Sequence, residues 1–144
     1  MVSAGFEFED GATEALQSFA KRELRWAVFR IPEGKDSGVA LAKSAVSSGE
    51  SEEKSEADFA AFAAELPEDE PRWGVYDLNF MKGGVNNSKI CFVQYVPDEC
   101  TNGKLKFAYA NHKETVKSKL LQGARELQVN DKTDVTRAKF IDEF

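Results

Sequence analysis

The sequence has few of the residues on which catalysis and metal binding depend. It contains one histidine and two cysteines among 144 residues. His112 falls in a predicted helix, where an exposed polar position is the simplest interpretation, and two cysteines indicate neither a disulfide framework nor a zinc site. Cys91 lies within an apolar predicted strand and Cys100 in the loop that follows. We therefore expect a buried free thiol at Cys91 and a reducing cytosol.

Long apolar runs, excess basic charge and nucleotide-binding motifs are also missing. No run approaches the roughly 20 apolar residues that span a bilayer, and the first residues lack the regions of a signal peptide. A net charge of -6 disfavours general binding to nucleic acid or anionic membrane, because both require a positive field. Gly83-Gly84 lacks the spacing of a phosphate-binding loop, and the acidic cluster around Glu50 lacks that of a calcium loop. We expect a cytoplasmic protein that is not an enzyme and needs no cofactor.

The composition that remains is typical of a single globular domain. Hydrophobic residues make up 42% of the chain and charged residues 31%, as in ordinary soluble proteins. A chain of this length favours one domain, residues 1–144, with a sizeable core. Residues 1–10 are small and predict a flexible N-terminal arm. Residues 47–56 are acidic and serine-rich, which predicts an exposed, mobile loop.

Apolar periodicity predicts alternating helices and strands. Helices are predicted over 11–25, after a capping box at 55–58 as far as Leu66, after residue 103, and over 135–144; strands are predicted over 26–31, 38–42, 73–80, 89–96 and 127–129. Residues 82–87 are predicted to form a turn. This order implies an α/β fold of the α+β type, with a mixed sheet of about five strands sandwiched by helices.

The helix after residue 103 has a core face and an unusual outer face. The apolar residues within about 20° of one line along the helix are Tyr109, Val116 and Leu120. Phe107 points about 160° from Tyr109, Lys104 about 140° and Lys106 about 60°. An exposed phenylalanine beside lysines indicates a protein-binding surface. The alternatives are a helix buried on two sides or one that starts in another register.

Several segments, in this order, resemble the actin-depolymerising factor (ADF)/cofilin family. Residues 66–77 read Leu-Pro-Glu-Asp-Glu-Pro-Arg-Trp-Gly-Val-Tyr-Asp, residues 104–110 read Lys-Leu-Lys-Phe-Ala-Tyr-Ala after a Pro-Asp turn, and residues 126–131 read Glu-Leu-Gln-Val-Asn-Asp. The resemblance covers nearly the whole chain, and the combination of segments is specific. It implies the ADF-homology fold and a protein that binds actin monomers and filaments and promotes filament depolymerisation and severing.

The resemblance also implies two sets of actin-contacting residues. The monomer-binding set is Ser3, Gly5, Lys104, Lys106 and Phe107. The filament-binding set is Lys89, Asn87, Arg137 and Lys139. Ser3 is in addition the candidate phosphorylation site, and Phe107 replaces the family's usual methionine. Asn86 and Asn87 stand where many cofilins are basic, so we expect filament-side binding to be comparatively weak and salt-sensitive.

Further properties follow from the same resemblance. It implies a monomer of the cytoplasm and cytoskeleton, whose basic surface also takes phosphoinositide headgroups. The alternative within the fold is a coactosin-like or glia-maturation-factor-like module, which binds filaments or a nucleation complex without depolymerising them. The alternative from another class is a small enzyme with a hidden site.

Overall fold

The computed structural model describes residues 7–35, 37–119 and 123–144. Within these ranges, helices and strands alternate along the chain. In order they are α1 (Asp10–Ala20), β1 (Trp26–Arg30), β2 (Ala40–Ala45), α2 (Glu52–Ala64), β3 (Arg72–Lys82), β4 (Val85–Tyr95), α3 (Gly103–Lys117), β5 (Arg125–Val129) and α4 (Arg137–Ile141). A turn of 3-10 helix, Lys132–Asp134, precedes α4.

The strands form one mixed sheet in the order β2-β1-β3-β4-β5. Neighbouring strands are antiparallel except β4 and β5, which are parallel. Parallel neighbours need a crossover connection, and α3 supplies it. The predicted five-stranded mixed sheet is therefore confirmed.

Two apolar cores lie on opposite faces of the sheet. The first core joins α1 and α3 to the sheet and contains Phe19 and Tyr109. The second core joins α2 and α4 to the other face and contains Phe62 and Phe140. Side chains alternate between the faces along each strand, so that the predicted sandwich of helices around a sheet is confirmed.

The paired strands β3 and β4 extend beyond the rest of the sheet. Strand β1 pairs with β3 only over Trp73–Tyr76, and β5 pairs with β4 only over Cys91–Tyr95. From residue 78 to residue 90 the two strands pair only with each other among the described strands. We call residues 78–90 the projecting hairpin.

A two-glycine turn closes the projecting hairpin. Gly83 and Gly84 have φ values of 61° and 78°, and a tight turn of this kind needs positive φ at both central positions. Lys82 and Val85 are consequently paired in the ladder. The turn predicted at 82–87 is therefore present but limited to the two glycines, and the strand predicted to start at residue 89 starts at Val85 instead.

The acidic segment 47–56 is mostly exposed, as its composition predicts, but it is not a loop throughout. Helix α2 begins within it, and the Ser51 side chain caps the helix by accepting the Lys54 N–H at 3.1 Å. The buried Arg25 guanidinium donates to Ser47 Oγ at 2.6 Å and to the Gly49 carbonyl at 3.0 Å. The predicted capping box at 55–58 is wrong for the same reason, since Ser55 lies buried inside the helix.

The chain before α1 is tied to the sheet in its described part. The Glu9 N–H donates to the Val39 carbonyl at 2.8 Å, and the Val39 N–H donates to the Glu7 carbonyl at 2.8 Å. The predicted flexible arm 1–10 is therefore wrong for residues 7–10, while residues 1–6 lie outside the described residues.

The first helix is shorter than its predicted span of 11–25. It ends at Ala20, and Arg22 then adopts a left-handed backbone conformation with φ 65°. None of the helices in the described ranges is long and apolar enough to cross a membrane.

Candidate functional site

Helix α3 is fixed in rotation by its buried face. The Asn102 side chain caps the helix by accepting the Leu105 N–H at 3.0 Å. The Tyr109 ring lies 4.4 Å from that of Trp73, and its hydroxyl accepts the buried Ile31 N–H at 2.9 Å. These contacts set which residues of α3 face outward.

The outward face of α3 presents an apolar side chain flanked by cations. Phe107 is 69% exposed, which confirms its predicted orientation away from the core. Lys104 is exposed and Lys106 half-buried. Lys104 lies one helical turn before Phe107 and Lys106 directly precedes it, and we call these three residues the α3 patch.

The lysines of α3 differ in whether their charge is already neutralised. Lys113 and Lys117 contact Glu126 of β5 at 2.9 Å and 3.2 Å, whereas Lys104 and Lys106 form no ion pair within the described ranges. The hydrogen bond from Lys113 lowers the pKa of Glu126 below its ordinary value. The charge available to a partner is therefore concentrated at the N-terminal end of α3.

A groove separates this end of α3 from the loop between β1 and β2. Its volume is about 600 Å³, and Leu105 and Ala108 form part of its floor beside Lys104. Lys35 and Ser37 line the opposite wall.

His112, predicted to be exposed, is half-buried further along the helix. Ser3 and Gly5, the other predicted monomer-binding residues, lie outside the described residues.

The predicted filament-binding residues of β4 lie on the projecting hairpin. Lys89 and Asn87 are two positions apart, so their side chains share the sheet face that carries α2 and α4. Lys89 is exposed, and Asn87 is half-buried with its amide donating to the Val85 carbonyl at 3.0 Å. Structure and sequence agree in placing these two residues together.

The structure buries Arg137, which the resemblance implies is a filament-binding residue. Arg137 is only 4% exposed. Its guanidinium contacts Glu52 at 2.6 Å and Glu56 at 2.9 Å, and it donates to the Asn79 carbonyl at 2.6 Å. Arg137 therefore joins α4 to α2 and the hairpin, and it is not available to a partner.

Lys139 remains accessible but is already paired. Its side chain is 55% exposed, and its ammonium lies 2.7 Å from Asp134. Since exposed ion pairs contribute little, a partner carboxylate can compete for this lysine. Of the two cations predicted on α4, only Lys139 thus remains a candidate contact.

The tip of the hairpin carries two apolar residues that sequence reasoning missed. Met81 is 65% exposed and Val85 61% exposed. They flank the two-glycine turn together with Lys82. The sequence feature that could have predicted them is the double glycine between two strand-forming segments, which is typical of a tight hairpin. Side chains next to such a turn extend beyond the sheet and are exposed.

Comparison with known proteins places the whole chain in one family. A family model for cofilin/tropomyosin-type actin-binding proteins matches residues 5–144. Cofilin from Cryptococcus neoformans is 33% identical over 130 residues, which is 86% of each chain. Actin-depolymerizing factor 2 from Petunia hybrida is 34% identical over 128 residues, which is 88% of this chain and 82% of that protein.

Solved structures agree with the sequence comparison. The crystal structure of Streptomyces griseoflavus cofilin matches with a TM-score of 0.79 at 29% identity over 96% of both chains. Human coactosin-like protein matches with a TM-score of 0.74 but at 13% identity, so that likeness shows the fold alone. Because one family model spans nearly the whole chain and named relatives exceed 30% identity over most of their length, the chain belongs to the cofilin and actin-depolymerising-factor family.

Proposed function

We propose that this protein binds actin monomers and filaments and promotes filament depolymerisation and severing. Its family and the names of its relatives support this function. The α3 patch is the structural feature that assigns actin binding to particular residues. There Phe107 is 69% exposed beside Lys104 and Lys106, on a helix whose rotation is fixed by Tyr109.

The α3 patch provides both affinity and orientation for an acidic partner. Complete burial of a phenylalanine side chain is worth about 1.5–3 kcal/mol. Lys104 and Lys106 guide encounter with acidic groups and set the register of the complex. Actin binding in this view uses Phe107 as the apolar anchor and the lysines as its charged rim.

A second surface supports binding along a filament. It comprises the projecting hairpin with Lys89 and Asn87, to which the accessible Lys139 contributes from α4. Arg137 has no part in it because it is buried. Val85 lies on the same face and adds exposed apolar area to this surface, whereas Met81 pairs with Asn86 and lies on the other face. Binding that favours one arrangement of filament subunits shifts the filament toward that arrangement, which promotes disassembly.

The protein acts by binding alone in this proposal. Burial raises the pKa of the Cys91 thiol to about 12, so that thiol stays neutral and is a poor nucleophile. No cofactor is needed for a mechanism based on differential binding. From the family resemblance we also propose a monomer located in the cytoplasm and cytoskeleton, whose Lys104 and Lys106 attract phosphoinositide headgroups.

Ser3 and Gly5 belong to the proposed monomer contact through the family resemblance. Phosphorylation of Ser3 adds a charge of about -1.5 to -2 near neutral pH. Beside an acidic partner surface, that charge weakens binding. Ser3→Glu should therefore lower monomer affinity while Ser3→Ala does not, and equal affinities for the two variants would remove Ser3 from the contact.

The deciding experiment measures monomer affinity and filament length with variants of the α3 patch. Phe107→Ala should weaken monomer binding about tenfold or more, and the Lys104→Ala/Lys106→Ala double variant should weaken it too. Urea unfolding should shift by no more than about 0.5 kcal/mol, because these side chains lie outside the core. Wild-type protein should shorten filaments under the microscope, whereas a coactosin-like module would bind them without shortening.

Matched controls come from β2 and the residue that follows it. Val46 is 65% exposed, and Lys43 is an exposed lysine of β2 that lies 3.8 Å from Glu65. Val46→Ala and Lys43→Ala should leave monomer affinity unchanged. If Phe107→Ala binds monomers as tightly as these controls do, the proposed site is wrong.

A further inference from the structure

The projecting hairpin needs support from outside the sheet. Residues 78–90 pair only with each other among the described strands, and an isolated two-stranded hairpin is at best marginally stable in water. Side chains that reach it from the helical layers therefore add to what fixes its direction relative to α3. Such contacts exist on both faces of the hairpin.

The contact on the face covered by α1 comes from Arg22. Its guanidinium donates to Ser88 Oγ at 2.9 Å and lies 3.5 Å from Asp77 Oδ2. Ser88 Oγ in turn donates to Asp77 Oδ1 at 2.9 Å. This small network joins the end of α1 to both strands at the base of the hairpin.

Arg22 occupies a backbone position that suits a different residue. The Arg22 N–H donates to the Phe19 carbonyl and the Glu23 N–H to the Ser18 carbonyl, both at 2.9 Å. This pattern is the Schellman ending of a helix, in which the residue at the Arg22 position is left-handed and usually glycine. The φ of 65° at Arg22 is less favourable for arginine than for glycine, which has no Cβ atom. Residues held in such conformations are often functional.

On the opposite face, the end of the described chain adds contacts to the one that Arg137 makes with the Asn79 carbonyl. The Phe144 ring stacks on Phe80 with centroids 6.1 Å apart, and the Lys82 ammonium donates to the Phe144 carbonyl at 2.8 Å. The Arg125 guanidinium lies over the same ring, 5.6 Å from its centroid. The hairpin is thus held between Arg22 on one face and Phe144 on the other.

We propose that Arg22 is a positioning residue, which works with Phe144 to hold the projecting hairpin in the orientation that binds the side of an actin filament. This inference rests on the proposed function of the hairpin. Arg22 itself need not touch the partner. Its guanidinium acts through Ser88 and Asp77, and in this way fixes where Lys89 and Asn87 stand relative to the α3 patch.

The substitution Arg22→Gly separates positioning from stability. It removes the guanidinium and at the same time supplies the residue that the helix ending favours. We expect the urea midpoint to stay equal or to rise, while filament affinity in co-sedimentation falls about two- to fivefold and monomer affinity is unchanged. Hydrogen exchange at backbone amides of residues 78–90 should become faster.

Three further variants complete the test. Arg22→Lys retains a cation that can reach Ser88 and should restore part of the filament affinity. Phe144→Ala should weaken filament binding from the other face, and Phe144→Tyr, which keeps the ring, should not. Lys43→Ala removes the same unit of charge far from the hairpin and should leave both affinities unchanged.

The outcomes distinguish this inference from the proposed function. Filament affinity that Arg22→Gly leaves unchanged, or an equal loss of monomer and filament affinity, overturns the positioning role. A wild-type protein that fails to bind filaments overturns the proposed function instead. In that case the hydrogen-exchange comparison between wild type and Arg22→Gly still decides whether Arg22 holds the hairpin.

Discussion

At the scale of single residues, Glu126 illustrates how one carboxylate fixes the end of a helix. It accepts hydrogen bonds from Lys113 and Lys117, and the first of these lowers its pKa. A carboxylate with a lowered pKa in the folded protein contributes stability above its unfolded pKa, and this contribution is lost as the pH falls through the folded value. The C-terminal half of α3 is therefore attached less firmly in acid.

We expect Glu126→Gln to reduce the free energy of unfolding by about 1 kcal/mol at neutral pH, because two charge-assisted hydrogen bonds are weakened. The difference in the free energy of unfolding between the variant and the wild type should become smaller below a pH of about 4.3, where the carboxyl group of the unfolded chain is protonated. Urea denaturation at several pH values measures it. Glu143→Gln serves as control, since Glu143 is half exposed and lies 3.6 Å from Arg125. A difference independent of pH would contradict the electrostatic explanation.

Residue roles were predictable where they depend on local helical geometry. The outward direction of Phe107 follows from its angle to Tyr109 alone. The burial of Arg137 could not be predicted in this way, because its partners Glu52 and Glu56 are 85 and 81 positions away in the sequence. Arginine is rarely buried without such partners, and sequence periodicity does not reveal them.

At the scale of elements, Gly74 sets the distance between α2 and the sheet. A Cβ atom added at Gly74 would lie 2.9 Å from Phe62 Cε1, closer than real contacts allow. Phe62 cannot move away easily, because its ring also packs against Trp26 and Tyr76. Because Gly74 has no side chain, α2 can pack closely against β3 in the second core.

Gly74→Ala should consequently lower the free energy of unfolding by about 1–3 kcal/mol, the usual effect of overpacking a core. Gly103→Ala is the matched control, since an added Cβ there meets no atom within 4 Å. The double variant Gly74→Ala/Phe62→Leu should recover part of the loss. Thermal or urea unfolding that leaves Gly74→Ala as stable as Gly103→Ala would show that α2 adjusts freely.

The elements themselves were largely predictable, but their ends were not. Short apolar segments between turn residues located all strands of the described sheet, and the apolar spacing of Phe59 and Phe62 located α2. The start of α2 was misplaced because the polar residues before it are held by the buried Arg25, as the contacts to Ser47 and Gly49 show. Composition predicts that such a segment is exposed, but it does not reveal that contacts with a buried cation hold the segment in one conformation.

At the scale of the whole molecule, an acidic protein carries lysines on two separate proposed surfaces. The net charge is -6, yet Lys104 and Lys106 mark one proposed surface and Lys89 the other. Asn87 lies beside Lys89 on the same face of the hairpin, where an added cation would strengthen attraction to an acidic filament. Asn86 points to the opposite face.

Asn87→Arg should therefore raise filament co-sedimentation at physiological salt and leave monomer affinity unchanged. The gain should fall as salt increases, because charges at the edge of an interface are screened over about 8 Å at physiological ionic strength. Asn86→Arg adds the same charge on the other face and should have a smaller effect. Equal effects of the two variants, or a parallel change in monomer affinity, would contradict the separation of the two surfaces.

The sheet separates the two cores, and we expect substitutions in one core to change the free energy of unfolding independently of substitutions in the other. Helix α3 rests on the first core and α4 on the second, and substitutions that share no contacts are usually additive in free energy. A double-mutant cycle between Tyr109 and Phe140 should then give a coupling energy near zero. Repacking beneath α4 can accordingly change the proposed filament-binding surface without disturbing the proposed monomer-binding surface, which leaves each of the two open to independent adaptation.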